Sequence, residues 1–234
     1  MSRGCDALIL GLDGATWDII LPMMECGELP NLSAFKKGGA WGYLNSTNPP
    51  MTLPSWSSML TGCNPGKHGI FDFTHKKKDS WDLEYINATH RRAPTIHRIL
   101  SDRGARVVSV AVPTTWPPED LNGVVVSGFD SPVSTGIDES FCAPKSIYSE
   151  LERRFGGLCF ADFQESRIGD NWHLEARAAL LKELDRKEKI ASWLLEQERW
   201  DCFMFLFGES DTASHHFWMF HDEDSPRYTK ADPL

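Results

Sequence analysis

The sequence predicts an α/β domain, a mostly parallel sheet flanked by helices on both faces. Short apolar runs alternate with stretches of helical periodicity, the pattern of strand–helix–strand units. The runs are apolar on both sides of the pleat, as strands covered on both faces must be. With 234 residues, 41% of them hydrophobic, the chain can bury one sizeable core. No internal repeat or low-complexity tract divides it, so 1–234 reads as a single domain.

Residues 7–12 (Ala-Leu-Ile-Leu-Gly-Leu) predict the first strand, which ends on Asp13-Gly14. A loop and helix cross 30–37, and a strand is expected near 41–46. A helix follows from about 54 to 61, with Pro54 in its first turn, where a missing N–H costs nothing. Another helix lies at 94–103 with Gly104 as its C-cap, before the strand 107–112 (Val-Val-Ser-Val-Ala-Val). Residues 124–126 form a further short strand. The segment 130–172 mixes Pro, Gly, Ser and charges, and reads as an inserted cap-like excursion. A long amphipathic helix over 171–198 leads into a strand at 202–207, after which no packing helix is expected.

Composition narrows the function classes. A net charge of −9 argues against binding a nucleic-acid backbone, and Lys76-Lys77-Lys78 is the single compact basic run. No run of 18 apolar residues exists and no signal-peptide pattern opens the chain, so no membrane partner and a cytoplasmic location are expected. Six cysteines, at 5, 26, 63, 142, 159 and 202, are scattered without a Cys-x-x-Cys, which predicts free thiols.

The chemistry-bearing residues sit at the ends of apolar runs. Asp13 closes the first strand, which places a hard anionic ligand where open α/β sheets bind ligands. Thr52 stands just before Pro54 at a helix start, where backbone N–H groups and the helix dipole favour a phosphate or an alkoxide. Asp211 and His215 follow the strand at 202–207 with i, i+4 spacing, so a helical turn projects both from one face. A carboxylate with an imidazole suits zinc, manganese or iron better than magnesium or calcium. Glu209 and His216 flank the pair as supporting groups or alternative ligands. Together these residues point to a metal-activated hydroxyl nucleophile for a phosphate or sulfate ester.

Several motifs strengthen that reading. Gly11-Leu12-Asp13-Gly14, Thr52-Leu53-Pro54, the block Thr61-Gly62-Cys63-Asn64-Pro65-Gly66-Lys67-His68-Gly69-Ile70, and Asp211 to His215 resemble the alkaline phosphatase superfamily. Val112-Pro113-Thr114-Thr115-Trp116-Pro117-Pro118 and the stretch from Asn122 to Phe129 point to its type I phosphodiesterase/nucleotide pyrophosphatase branch, which includes predicted phosphohydrolases and phosphomutases. The resemblance implies an alkaline phosphatase-like core and two divalent metal ions, zinc with manganese as the alternative. It implies that Thr52 is nucleophile and metal ligand, that Asp13 binds one metal, and that Asp211 and His215 bind the other. The reaction would be hydrolysis of a small phosphate ester through a phospho-threonine intermediate.

Two departures from the family pattern matter. The branch carries an Asn after the His-Gly-Ile block that holds a phosphate oxygen; here that position is Phe73, and Thr74, His75 and Lys76 are the candidate substitutes. His75, Lys76 and Trp56 are therefore expected at the substrate, with core packing the other role open to Trp56. The family also completes its metal site with an Asp-His-Gly block and a further His, and the chain ends at Leu234 without them. The sequence thus reads as the N-terminal part of a longer domain. The alternatives are a phosphomutase, phosphotransferase or sulfatase-like enzyme, or an inactive binding or regulatory module. The Thr52-Leu53-Pro54-Ser55-Trp56 segment lacks the modifiable residue and the Arg that a sulfatase needs. His68 is expected to order its loop and not to bind metal.

Overall fold

The computed structural model describes residues 7–128, 137–157 and 172–229. A five-stranded sheet forms the centre, in the order β1 (Ala7–Leu12), β7 (Cys202–Phe207), β4 (Val107–Val112), β5 (Gly123–Ser127), β6 (Cys142–Ala143). The first four strands are parallel and β6 closes one edge antiparallel. Every residue of β4 is buried, and so are the first five of β7, as the unbroken apolar runs predict.

Helices cover both faces. On one face, Val108, Val110, Val126, Phe203 and Phe205 pack with Ile147 and Leu151 of α6 (Ser146–Phe155) and Ile190 and Leu194 of α7 (Trp172–Gln197). On the other, Val112, Met204 and Leu206 meet Leu60 and Trp56 of α3 (Thr52–Thr61). The α/β class with a mostly parallel sheet is therefore as the sequence predicts. In the 130–172 segment, the described residues supply β6 and α6, and Phe141, Cys142, Ile147 and Leu151 enter the main core. Among the described residues, no helix is long and apolar enough to cross a membrane.

The structure differs from the sequence expectations in several places. Residues 41–46 form no strand; Trp41 and Tyr43 instead lay their rings against Trp17, with centroids 5.5 and 6.4 Å away. Trp17 opens α1 (Trp17–Glu25), a helix the sequence reading lacked because Pro22 interrupts its pattern; Thr16 caps it. The helix expected over 94–103 is shorter, α5 (Ile96–Ser101), because Thr95 takes the N-cap position by accepting from the Arg98 N–H. A helix does follow β7: α8 (Glu209–His221) packs Phe217 and Phe220 on the Trp172 ring at 5.9 and 6.3 Å. Its two adjacent histidines blur the amphipathic stripe, while Glu209 and Asp211 in the first turn suit the helix dipole.

Candidate active site

The site is built where β1 and β7 end. The Asp13 N–H donates to the Phe207 carbonyl at 2.9 Å, which carries the β1–β7 ladder one residue further and delivers Asp13 at the carboxyl edge. The Ser210 hydroxyl donates to the Asp13 carbonyl at 2.5 Å and ties the start of α8 to that turn. Gly14, at φ +65°, reverses the chain. A Cβ there would lie 2.5 Å from Asp211 Cα, so the glycine is what allows Asp211 to sit against the turn.

Asp13 is buried. Its Oδ1 accepts from the Trp56 indole N–H at 3.0 Å. Its Oδ2 is buried and has no hydrogen-bond partner among the described residues. Burial pushes the Asp13 carboxyl above its ordinary value; the Trp56 N–H pulls it down, the Asp211 charge pushes it up, and the Gly14 N–H and His215 oppose the rise. Trp56 reaches this position across the backbone of Gly11, where a Cβ would meet the indole at 2.7 Å. The indole thus bonds a site carboxylate as well as packing between Leu60 and Leu206.

Thr52 is the first residue of α3 and is partly buried. It stands one turn before Trp56, so the two share a helix face. The N-cap Met51 makes no side-chain cap bond, and Leu53 anchors the helix start in a cluster with Ile70 and Ile86. Gly62 ends the helix in the left-handed conformation. His68 orders the following loop: its Nδ1 accepts from the Ile70 N–H at 3.2 Å, and Ser58 Oγ lies 2.9 Å from its Nε2. Burial, with help from the Arg91 charge, holds the His68 imidazole below its ordinary value.

Asp211 and His215 lie one turn apart on α8, with His215 Nε2 3.5 Å from Asp211 Oδ2. They line an open cleft of about 360 Å³ with Gly14, Ser214, Trp218 and Arg227. The fold therefore gathers Asp13, Asp211 and His215 from the two ends of the sequence, and Trp56, one turn after Thr52 on α3, bonds to Asp13. Glu209 turns the other way and pairs with buried Lys187 at 2.6 Å. His75 and Lys76 lie on a hairpin of β2 (Thr74–Lys76) and β3 (Leu83–Tyr85). There His75 meets Glu84, and the Lys76 ammonium sits 3.7 Å above the Trp81 ring.

The donors fit a divalent ion. Asp13 offers a buried oxygen with no other partner, a second carboxylate stands beside it, and His215 adds a nitrogen. A bare buried carboxylate oxygen is costly unless a cation or donor meets it. Three ligand atoms within 4.8 Å of one another are not preassembled here; among the described residues only His75, Glu84 and His90 form such a group.

Sequence reasoning missed the Trp56–Asp13 bond, although the i, i+4 spacing from Thr52 placed Trp56 on the right face. It also missed Ser210, whose hydroxyl holds the Asp13 turn.

Comparison with known proteins bears on the whole arrangement. Residues 7–232 match the family described as type I phosphodiesterase / nucleotide pyrophosphatase. Among solved structures, phosphonoacetate hydrolase from Sinorhizobium meliloti 1021 in complex with phosphonoformate superposes with a TM-score of 0.63 at 19% identity, over 95% of this chain and 49% of the hydrolase. Murine ectonucleotide pyrophosphatase / phosphodiesterase 5 gives a TM-score of 0.53 at 14% identity, over 94% of this chain and 47% of its own. The chain thus spans about half the length of these structures. No curated protein matches the sequence.

Proposed function

The chain belongs to the type I phosphodiesterase / nucleotide pyrophosphatase family, and from that premise we propose that it hydrolyses small phosphate esters with Thr52 as nucleophile and Asp13, Thr52, Asp211 and His215 as metal ligands. The observation that carries the reading is the Asp13 carboxylate: buried, fixed by Trp56 through one oxygen, bare at the other, with Asp211 against its turn.

Each residue then has a task. Trp56 and the β1–β7 ladder fix Asp13, so that Oδ2 meets its ligand without searching. Thr52 attacks phosphorus through Oγ; the P–O bond to threonine forms while the bond to the leaving oxygen breaks, and the leaving group departs with the electron pair. Water then cleaves the phospho-threonine and regenerates the hydroxyl. The first N–H groups of α3, to which Met51 offers no side-chain cap, would stabilise the negative charge of the transferred group. Two divalent ions, zinc or manganese, would be held by Asp13, Thr52, Asp211 and His215, and supply the charge that lowers the hydroxyl pKa and screens the phosphoryl oxygens.

The test is to assay the purified protein and its Thr52→Ala variant on aryl phosphate mono- and diesters with added zinc or manganese. The expected result is a loss of turnover by several orders of magnitude, as for removal of other enzymic nucleophiles. Rapid-quench mass spectrometry should find phosphate on Thr52. Turnover that survives T52A would overturn the assignment.

A further inference from the structure

The β2–β3 hairpin and the turn after it hold a second constellation, made of other residues than those gathered at Asp13. His75 and Glu84 are direct cross-strand partners in the antiparallel register, so their side chains rise from the same face of the hairpin. His75 Nε2 lies 2.6 Å from Glu84 Oε1. His90, at the end of the 3₁₀ turn Ala88–His90, points its Nε2 at the same oxygen from 3.7 Å. The two imidazole centroids are 4.6 Å apart, and the three ligand atoms lie within 4.8 Å of one another. All three residues are partly exposed, so an ion can reach them from solvent.

We propose that His75, Glu84 and His90 form a separate zinc-type metal site that clamps the hairpin to the 88–90 turn. Two imidazoles and one carboxylate are donors for borderline ions such as zinc and not for magnesium or calcium. Bonds of about 2.0–2.2 Å in a tetrahedral site set neighbouring ligand atoms roughly 3.3–3.5 Å apart. The distances of 2.6 and 3.7 Å found here bracket that spacing, so small side-chain rotations complete the site. One position remains for water.

The rings also predict how strongly the site binds. His90 Nδ1 accepts from the Asn87 N–H at 3.1 Å, so in the metal-free neutral ring the proton is on Nε2. A metal on Nε2 moves that proton to Nδ1, which can no longer accept from Asn87, and the capping bond is lost. His75 Nδ1 is buried with no partner among the described residues, so its ring too lacks an acceptor behind it there. Missing outer-shell acceptors weaken a metal site by roughly 10–100-fold each. Micromolar affinity is expected, and a spectroscopic mark at Asn87.

The experiment is a zinc titration by calorimetry and by amide NMR on the whole chain, with Asp13→Asn/Asp211→Asn and His75→Ala/His90→Ala double variants. One zinc equivalent is expected to persist in D13N/D211N, to shift the Asn87 amide, and to disappear in H75A/H90A. Glu84→Gln, nearly isosteric, gives a second reading, with zinc affinity falling at least tenfold, should the alanine pair not fold. Magnesium in excess should not displace the zinc. The proposal is overturned if zinc stoichiometry is unchanged by H75A/H90A, if zinc affinity is unchanged by E84Q, or if the Asn87 amide does not respond to zinc.

Discussion

The two potential metal-binding regions of this molecule are built in opposite ways. Asp13, Asp211 and His215 come from the two ends of the sequence and meet only because β1 and β7 lie side by side. His75, Glu84 and His90 come from one short segment, and a local hairpin suffices to assemble them. The first region is anchored in the core and keeps one buried, unpartnered carboxylate oxygen; the second lies on the surface, where its carboxylate is already met by an imidazole. The contrast teaches that proximity of ligands and pressure to bind are separate properties. The hairpin has its donors together but gives up little when empty. The sheet edge has its donors less tightly gathered, yet carries the electrostatic strain that a cation relieves.

Substituting Asp13 gives the largest separation between the regions. Asp13→Asn keeps the shape and the Trp56 contact but removes the charge. Phosphoester turnover should fall by more than the ~10–100-fold that loss of a mere outer-shell partner costs a metal site. The metal-free protein should meanwhile become no less stable, because a buried, poorly solvated charge is gone. Zinc uptake at His75, Glu84 and His90 should be unchanged. Turnover and metal-dependent melting that match the parent protein would show that Asp13 is structural.

A pH series sharpens the same contrast without metal. Burial holds the Asp13 carboxyl above its ordinary value of 3.8, so the folded chain binds that proton more tightly than the unfolded one. The stability this contributes is fully present below 3.8 and is lost as pH rises through the folded-state pKa. Urea unfolding of the parent chain, with chelator present, should therefore lose stability relative to D13N as pH rises through this range. A constant difference between the two proteins at all pH values would contradict the burial argument.

How much of this was legible in the sequence follows from how local each feature is. The strands at 7–12, 107–112 and 202–207 were readable because burial on both faces forces an unbroken apolar run, and the α/β class came with them. Asp13 was readable because it ends such a run. The aromatic stretch Trp41–Tyr43 misled, since rings that pack on Trp17 need no ladder and yet imitate a strand's composition. The pairing of His75 with Glu84 and His90 was invisible, because it depends on a hairpin register that nothing in the local sequence sets. Likewise the Gly14–Asp211 contact is fixed only when two distant strands become neighbours. Sequence revealed ligands one at a time; the sheet decided which of them meet.

The smallest effect should come from Trp56→Phe, and it separates packing from electrostatics at Asp13. The substitution leaves a ring over Gly11 and beside Leu206 but removes the indole N–H that donates to Asp13 Oδ1 at 3.0 Å. That bond works against burial, which already pushes the carboxyl up. Without it the Asp13 pKa rises further, so the acid limb of metal uptake and of turnover should move to higher pH. On the alkaline side of that limb, where the carboxyl is ionised in either protein, the rates should differ little. As pH falls, the variant should fall away first. The zinc affinity of the hairpin site serves as the internal control. A uniform drop in turnover at every pH would mean that Trp56 acts through packing alone; a shifted acid limb with an unchanged plateau would identify the indole N–H as the group that keeps Asp13 ionised in a buried place.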